Sequence, residues 1–332
     1  MLQKNLADLL LAWYKENGRD LPWRYKGGAH PNPYVVLVSE FMLQQTTVTT
    51  VIPYFHRFME RFPTVYDLAK ATDEEVYQLW QGLGYYTRAR SLHATAKMIV
   101  DDFNGTFPHT REDVLKLKGI GTYTVASFLA LAFNLPETVI DGNVMRIMAR
   151  LYHLTQPLDE IKDDIRKKAM ALTSHKEPAD YASVIMDLGA TICTPKKPLC
   201  MVCPWQQYCK SKDLPDLEQI PTRKKLAKKE QHGYVYLIYN DKGEVFIRKR
   251  AEKGLLFGLY EFPWNTDKPV VKGAENTGVK VTHIFTHIKL TLEVYKLEGA
   301  KNPCTDGVYV KPSDLKNYAL STLMKKVFAK SK

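Results

Sequence analysis

The stretch LKGIGTYTVASFLALAFNLPETVIDGNV, Leu117–Val144, places two glycines around one isoleucine, continues as an apolar segment and ends beside an aspartate. The glycines predict a tight turn between two helices, with Ile120 in the core and the backbone N–H groups around Gly119 and Gly121 exposed. Because N–H groups at a helix start attract anions, this turn is a candidate phosphate-binding site. A plain helix–helix connection is the alternative, since a Gly-x-Gly triplet alone is a weak signal.

Asp141 directly precedes the amphipathic sequence GNVMRIMARLY, which predicts a helix with Asp141 as its N-cap. A carboxylate that accepts N–H groups at a helix start is stabilised in its charged form. The same position therefore also suits the stabilisation of a cation. The two roles are compatible, and both stay open at this point.

Glu40 is the one charged residue in the apolar stretch PYVVLVSEFMLQQTTVTTVIPYF. Burial there would raise its pKa, so that the side chain could hold a proton and donate it. A buried glutamate paired with an arginine is the alternative. Together, Glu40 and Asp141 form the pair of carboxyl groups with opposite surroundings that acid-assisted glycosidic cleavage uses. Beside a phosphate-binding turn, the sugar is predicted to belong to DNA.

Length and charge agree with this prediction. The chain has 332 residues, enough for two domains, and its net charge of +11 with a pI near 9.2 indicates a polyanionic partner. No apolar run reaches the roughly 20 residues of a membrane span, and the first residues have helical spacing rather than the features of a signal peptide. We therefore expect no membrane contact, a monomer and a cytoplasmic location, at the nucleoid if the chain is bacterial.

The residue pattern changes along the chain. Residues 1–213 have apolar positions at helical spacing, and 214–231 carry prolines and lysines as a linker does. Residues 232–332 alternate apolar and polar positions, with a hairpin signal at Asp241-Lys242-Gly243. The expected fold is a mainly α domain, a linker and an α+β domain.

Four cysteines in segment 193–209 follow the spacing C-x6-C-x2-C-x5-C: Cys193, Cys200, Cys203 and Cys209. This array predicts a metal centre, and its ligand chemistry suits zinc and a [4Fe–4S] cluster about equally. Lys196 and Lys197 lie on the loop between the first two cysteines, where cations suit a DNA backbone. A solvated loop is the alternative. Cys304 is distant and is interpreted as an inert thiol.

Three segments, together with the hairpin and the cysteine array, carry a family resemblance: SEFMLQQT (Ser39–Thr46), GLGYYTRAR (Gly82–Arg90) and DGNVMRIMAR (Asp141–Arg150). They resemble the helix-hairpin-helix DNA glycosylases with an iron–sulfur cluster and, within these, the adenine DNA glycosylases of the MutY type. The resemblance covers the N-terminal two thirds. It implies a [4Fe–4S] cluster and removal of adenine opposite 8-oxoguanine or guanine in duplex DNA, with base flipping.

The resemblance also implies residue roles. Glu40 would protonate adenine N7, and Asp141 would stabilise the oxocarbenium ion, directly or through a transient covalent adduct. Tyr123 and Asn143 would support this chemistry. Gln45 and Tyr85 match family residues that wedge beside the extruded base and its partner. For Tyr85, packing in the core is the alternative.

The base pocket would be formed by two segments, RDLPWR and YASVIMDLGATIC. The residues that would line it are Arg19, Leu21, Trp23, Arg24 and Ser183. Ser183 departs from the Gln or Glu usual in the family, and its shorter side chain predicts a lost hydrogen bond and weaker base selectivity or rate. The segment RYKGGAHPNP, between Trp23 and Tyr34, is longer than the family's usual turn.

The C-terminal domain resembles the family's Nudix-like recognition domain, anchored by IRKRAEKGLLFGLYEFP (Ile247–Pro263). The chain after Pro263 lacks the glutamate cluster that a Nudix hydrolase needs for magnesium, so we expect no nucleotide hydrolysis. Phe285, Thr286 and His287 look like the family's loop that contacts 8-oxoguanine. Ordinary packing is the alternative for this triplet.

Two other activities are compatible with parts of this sequence. The endonuclease III type has a catalytic lysine just after the second hairpin glycine, where this chain has Tyr123, and a phenol cannot form an imine with the sugar. Base removal without efficient strand cleavage is therefore expected. A catalytically idle DNA-binding protein is the other possibility, and the presence of both Glu40 and Asp141 argues against it.

Overall fold

The structure is a computed structural model that describes residues 2–24, 31–222, 228–266, 273–285, 287–299 and 306–331, with the backbone alone for 2–5. The described residues form helices and strands in a clear order along the chain. The helices are α1 (Leu2–Asn17), α2 (Pro33–Leu43), α3 (Val48–Arg61), α4 (Val65–Lys70), α5 (Asp73–Trp80), α6 (Thr87–Asp101), α7 (Arg111–Lys116), α8 (Thr122–Phe133), α9 (Gly142–Tyr152), α10 (Leu158–Leu172), α11 (Pro178–Asp187) and α12 (Thr322–Lys330).

The strands all follow the last of the N-terminal helices. They are β1 (Lys229–Ile238), β2 (Val245–Lys249), β3 (Tyr260–Glu261), β4 (Trp264–Asn265), β5 (Glu275–Ile284), β6 (Ile288–Leu297) and β7 (Gly307–Val310). The chain divides into two compact units. The first unit comprises Met1–Lys70 and Arg90–Lys224, and the second unit comprises Ala71–Ala89 and Lys225–Lys332.

In the first unit, α2 and α8 are central helices. All of α8 from Thr124 to Ala130 is buried, and in α2 burial runs from Val36 to Met42. These helices have almost no charged residues, so they can be surrounded by protein on every side, whereas amphipathic helices such as α9 and α10 bury one face. A second layer of α1, α9, α10 and α11 packs around its own apolar core.

The Gly-x-Gly turn forms as the sequence predicts. Gly119 has a φ of +75°, and a Cβ there would lie 2.4 Å from the Cβ of Ser91, so only glycine fits. Ile120 is buried, which confirms it as the core residue of the turn. Gly121 differs, because its backbone is extended, it precedes α8 as the N-cap residue, and a Cβ there would meet open space. Packing within the protein therefore does not require a glycine at 121.

The second unit contains two sheets. The order in one is β4-β1-β6-β5, with β1 and β6 parallel, and in the other it is β3-β2-β7. Helix α12 packs against β5 and buries Leu323, Met324 and Val327. Helix α5 also belongs to this unit, where the Gln78 side chain donates a hydrogen bond to the carbonyl of Asn317. An α+β architecture is therefore observed here, as expected.

The predicted hairpin at residues 241–243 forms only as a turn. A single antiparallel bridge joins Tyr239 and Val245, after which β1 pairs with β4 and β6, and β2 pairs with β3 and β7. The physical reason is burial on both faces, since successive residues of each strand are buried. Each strand therefore lies in the interior of a sheet and needs two neighbours.

The segment predicted as a linker is partly packed. Ile220 is buried with the core of the first unit, and its carbonyl accepts a hydrogen bond from Arg150 Nε at 3.0 Å. Strand β1 begins at Lys229. None of the helices in the part of the chain that the structure describes combines the length and apolar character of a membrane span.

Candidate active site

One cleft of about 840 Å³ in the first unit is lined by residues from α1, α2, α8, α11, the start of α9 and the segment before α2. We refer to it as the cleft. It brings together nine residues that the sequence predicted for catalysis or base binding. They are Arg19, Leu21, Trp23, Arg24, Glu40, Tyr123, Asp141, Asn143 and Ser183.

Glu40 lies on α2 with its side chain almost wholly buried at 5% exposure. The Ser127 hydroxyl on α8 donates a hydrogen bond to Glu40 Oε2 at 2.5 Å. Burial is the main reason that the pKa of Glu40 rises to about 7, while the Ser127 hydrogen bond and the charge of Arg24 oppose the rise and the charge of Asp141 adds to it. Glu40 forms no ion pair within the described ranges, so the alternative of an arginine-paired glutamate is wrong.

Asp141 is the N-cap of α9, as predicted. Its Oδ1 accepts hydrogen bonds from the backbone N–H groups of Asn143 and Val144, at 2.8 Å and 2.7 Å, and its Oδ2 accepts one from the Asn143 amide at 2.8 Å. Three donors on one half-buried carboxylate suit a negative charge. The N-cap is therefore confirmed, and a carboxylate held in this way suits the stabilisation of a cation.

A chain of hydrogen bonds extends from Asp141 to the cysteine segment. Asn143 Oδ1 accepts from Arg146 Nη2 at 2.9 Å, and Arg146 also donates to the carbonyls of Gly189 and Cys193. A Cβ on Gly189 would lie 2.6 Å from the Cβ of Asn143, so the close approach of this segment to α9 requires glycine. Sequence reasoning missed Arg146, although an arginine within the buried stretch VMRIMA was a signal of internal hydrogen bonding.

Asp187, at the end of α11, was also missed. Its fully buried carboxylate accepts hydrogen bonds from Arg19 Nε and Arg24 Nη1, both at 2.7 Å, and from the backbone N–H of Arg19 at 3.0 Å. Arg24 Nη2 also donates to the carbonyl of Ser183 at 3.4 Å. The two pocket arginines are therefore held by one carboxylate. An isolated Asp in the apolar sequence ASVIMDLGA was the available signal.

Tyr123 occupies the first turn of α8, beside the hairpin. Burial, together with the charges of Glu40 and Asp141, raises the pKa of its phenol well above the usual value, so the group stays neutral. Its hydroxyl donates a weak hydrogen bond to the Met186 sulfur at 3.6 Å. Trp23, on the other wall, is buried with its ring 5.3 Å from that of Phe55.

The four cysteine thiols line one small cavity with Arg150, whose Nη1 lies 3.6 Å from Cys193 Sγ. Burial raises the pKa of Cys203 to about 12. The Cys203 sulfur also accepts a hydrogen bond from the backbone N–H of Trp205. In the described ranges, the His, Cys, Asp and Glu side chains form no group of three or more that could hold a metal ion. Cationic and N–H donors beside half-buried thiols fit a metal–sulfur group held by thiolates.

The predicted DNA-contacting residues are exposed. Gln45 and Tyr85 both have positive φ values, +58° and +46°, and Tyr85 is 47% exposed, so core packing does not explain it. Left-handed backbone at non-glycine residues is strained and concentrates at functional sites. Lys196 and Lys197 are both exposed on the cysteine loop. Arg88 supports Tyr85, with its guanidinium 5.5 Å from the Tyr85 ring centre.

In the second unit, Phe285 and His287 of the predicted recognition triplet lie between β5 and β6 rather than within a strand. Phe285 is half-buried, and its ring lies 4.6 Å from that of His283. His287 is exposed, and its backbone carbonyl accepts a hydrogen bond from Lys229 at 2.9 Å. Thr286 lies outside the described residues, as do Cys304 and residues 25–30 of the longer segment before α2.

Comparison with known proteins agrees with both units. A sequence model described as HhH-GPD superfamily base excision DNA repair protein matches residues 38–173, the iron–sulfur binding domain of endonuclease III matches 193–209, and a NUDIX domain matches 234–330. A solved structure of a thermostable thymine-DNA glycosylase aligns with a TM-score of 0.56 and 27% identity, over 63% of this chain and 96% of that one. The class is thus a base-excision DNA repair glycosylase.

Two relatives narrow the class. The adenine DNA glycosylase of Rattus norvegicus is 33% identical, and the match covers 96% of this chain and 76% of that protein. The adenine DNA glycosylase of Buchnera aphidicola is 38% identical, and the match covers 76% of this chain and 72% of that protein. The chain belongs to the adenine DNA glycosylase family. Its fold is confirmed as a helical helix-hairpin-helix domain with an iron–sulfur segment, followed by a Nudix domain, and its substrate is DNA.

Proposed function

We propose that this enzyme hydrolyses the N-glycosidic bond of adenine paired with 8-oxoguanine or guanine in duplex DNA, without efficient strand cleavage. The observation that carries the proposal is that Glu40 and Asp141 line the same cleft in opposite surroundings. One carboxyl is buried in an apolar helix beside a hydroxyl, and the other accepts three hydrogen bonds at a helix start. Glycosidic cleavage needs such a pair.

Glu40 acts as the general acid. With a pKa of about 7, a large share of Glu40 side chains carry a proton at neutral pH, and an acid with a pKa near the working pH transfers protons efficiently. The proton passes to N7 of an adenine extruded into the cleft, and the electron pair of the glycosidic bond moves onto the departing base. Protonation makes the base a neutral leaving group.

Asp141 stabilises the positive charge that then develops on the sugar. Its carboxylate is fixed in position by Asn143, which Arg146 orients in turn. A water molecule completes the hydrolysis by adding its oxygen to the sugar carbon and losing one proton, which returns the Glu40 carboxylate to its acid form. Tyr123 lines the cleft as a neutral phenol, and it offers no amine that could form an imine and cleave the strand.

The remaining predicted residues bind DNA and the base. Gly119 and Gly121 offer N–H groups to a phosphate, Lys196 and Lys197 contact the backbone, and Gln45 and Tyr85 fill the space left by the extruded base. The base pocket is formed by Arg19, Leu21, Trp23, Arg24 and Ser183. Phe285, Thr286 and His287 recognise 8-oxoguanine in the opposite strand.

The group held by the four cysteines is a [4Fe–4S] cluster. Cys193, Cys200, Cys203 and Cys209 would be its ligands, and the bound cluster would hold the loop that carries Lys196 and Lys197 in one conformation. With chromosomal DNA as substrate, the enzyme acts where the chromosome is, which is the cytoplasm if the chain is bacterial.

Single-turnover excision assays test this function. Duplexes with adenine opposite 8-oxoguanine, guanine or cytosine are compared, and we expect fast excision on the first, slower excision on the second and little on the third. A borohydride trap on the same reactions should give no stable protein–DNA adduct. An adduct would support a lyase instead, and tight binding with no excision on any duplex would support an idle DNA-binding protein.

A further inference from the structure

We propose that Ser127 is a positioning residue for Glu40, because its hydroxyl holds Oε2 as a hydrogen-bond acceptor and leaves Oε1 to carry the proton that goes to the base. This inference rests on the proposed function of Glu40 as an acid. It concerns a residue on a different helix, 87 positions away in the sequence, that no sequence motif pointed to.

Ser127 is placed for this role by the packing of α2 against α8. It is wholly buried in the apolar sequence VASFLALAF, where an unsatisfied hydroxyl would be costly. Its Oγ lies 2.5 Å from Glu40 Oε2, a length typical of a hydroxyl bound to a carboxylate. Two other acceptors lie near this hydroxyl: the carbonyl of Thr124 in the same helix, farther away at 3.2 Å, and the phenol oxygen of Tyr123.

The hydroxyl has a single hydrogen, which decides where the Glu40 proton can sit. When that hydrogen is donated to Oε2, the proton of a neutral Glu40 carboxyl is favoured on Oε1, because the carbonyl oxygen of a carboxyl is the better acceptor. Within the described ranges, the side-chain hydrogen bond of Glu40 is the one to Oε2, and Glu40 lines the cleft. Proton transfer from Oε1 to the base leaves a carboxylate, and the Ser127 hydrogen bond to that carboxylate becomes charge-assisted and stronger. Ser127 therefore also favours proton release.

The groups that face the Glu40 carboxyl come from three elements. Ser127 and Tyr123 lie on α8, Arg24 lies in the segment before α2, and Asp141 caps α9. Helix α3 also packs against α2, but its charged side chains are exposed: His56, Arg57, Glu60 and Arg61. Of these groups, Ser127 alone touches the carboxyl, and so its removal should change the titration of Glu40 most directly.

The test is a titration of Glu40 in the holoprotein with Ser127→Ala. Alanine removes one oxygen and favours helix, so the variant should fold. The ¹³C signal of the Glu40 carboxyl, assigned by its loss in Glu40→Gln, should titrate about one pH unit higher than in the wild type. A second variant, Ser127→Thr, keeps the hydroxyl and should restore the wild-type midpoint. Ser39→Ala is the matched control, because the buried Ser39 hydroxyl donates to the Val36 carbonyl in its own helix.

Excision rates at pH 6 and pH 8 give the second readout. At pH 6 both proteins hold the Glu40 proton, and Ser127→Ala should be about 3- to 10-fold slower because the acid is weaker and less well oriented. The ratio of variant to wild-type rate should rise about fivefold at pH 8, since the variant stays protonated to higher pH. A merely structural role would lower both rates equally and leave the ¹³C midpoint unchanged, which would overturn the proposal. A shifted midpoint in an enzyme that excises no adenine would instead contradict the proposed function alone.

Discussion

Glu40 in the first unit and Glu261 in the second unit are both buried glutamates, at 5% and 1% exposure, yet their partners differ in kind. Glu261 accepts hydrogen bonds from Arg248 Nε at 3.1 Å, Arg250 Nη1 at 3.0 Å and Trp264 Nε1 at 2.7 Å. Glu40 accepts one hydrogen bond, from a neutral hydroxyl.

The difference separates a structural carboxylate from a reactive acid. Burial raises the pKa of both groups, but at Glu261 the two arginines oppose it by direct contact. The charge of Glu261 is therefore neutralised by ion pairs, whereas Glu40 becomes neutral by keeping its proton. Burial alone does not identify a catalytic acid. A buried carboxyl that faces a cleft and has no cation in contact is a candidate for that role.

The largest expected effect is on the chemistry of Glu40. Glu40→Gln keeps the shape and removes the transferable proton, so single-turnover excision should fall by about 10³-fold or more. Affinity for the adenine:8-oxoguanine duplex should stay within a few-fold, because uncharged Gln and protonated Glu make similar contacts. Gel-shift titration measures that affinity. Equal losses of binding and excision would contradict the acid role.

The same substitution at Glu261 should affect stability. Glu261→Gln leaves Arg248 and Arg250 facing an uncharged amide, and breaking a buried ion pair in this way costs about 3–5 kcal/mol. Hydrogen exchange of the β1 and β3 amides should accelerate accordingly, while excision per folded molecule on an adenine:guanine duplex stays near the wild-type rate. Unchanged exchange would show that Glu261 is no more structural than Glu40.

The two glutamates should also differ in how stability depends on pH. The pKa of Glu40 rises from 4.5 to about 7 on folding, so its contribution to stability is full below pH 4.5 and is lost as pH rises through 7. Glu40→Gln should therefore stabilise the holoprotein by up to about 3 kcal/mol at pH 8, with little effect near pH 4.5. Urea titrations followed by far-ultraviolet circular dichroism, which reports mainly on helices, measure this. Glu261→Gln is the comparison at pH 8, where it breaks the ion pairs with Arg248 and Arg250 and should destabilise the protein instead. A pH-independent effect of Glu40→Gln would contradict the raised pKa.

The features predictable from the sequence are those with short-range causes. The Gly119 turn and the Asp141 cap each depend on residues close together in the chain, and each forms as predicted. The four cysteines, also close in sequence, line one cavity. Burial of Glu40 was also predictable, because a single charge in a long apolar segment has no polar face to occupy.

Partners distant in sequence were not predictable. Sequence reasoning singled out neither Ser127 nor Asp187. A polar residue in a largely apolar helix indicates an internal hydrogen bond, but the pattern does not identify its partner. Asp187 binds Arg19 across 168 positions. The parallel pairing of β1 with β6 is similarly remote, and the hairpin signal at residues 241–243 favoured a pairing with β2 that forms only one bridge. Such pairings are decided by which faces the whole domain buries.

The smallest expected effect concerns Arg24. It tests how close an arginine must lie to a buried glutamate to change the pKa of that glutamate. Arg24 lowers the pKa of Glu40 through its charge, without an ion pair, because its guanidinium is held by Asp187 at 2.7 Å. Arg24→Gln should therefore raise the ¹³C midpoint of Glu40 by about half a pH unit, less than Ser127→Ala does.

Arg19→Gln is the matched control for that last prediction. It removes the other arginine of Asp187, whose Nη2 lies 2.6 Å from Oδ1, but Arg19 is not among the groups that act on Glu40. The Glu40 midpoint should therefore stay at the wild-type value. Equal shifts in both variants would mean that the pocket rearranges once Asp187 loses a partner. The distance to the nearest cation would then not explain why Glu40 and Glu261 differ. The difference between them would depend on how rigidly each carboxyl is held.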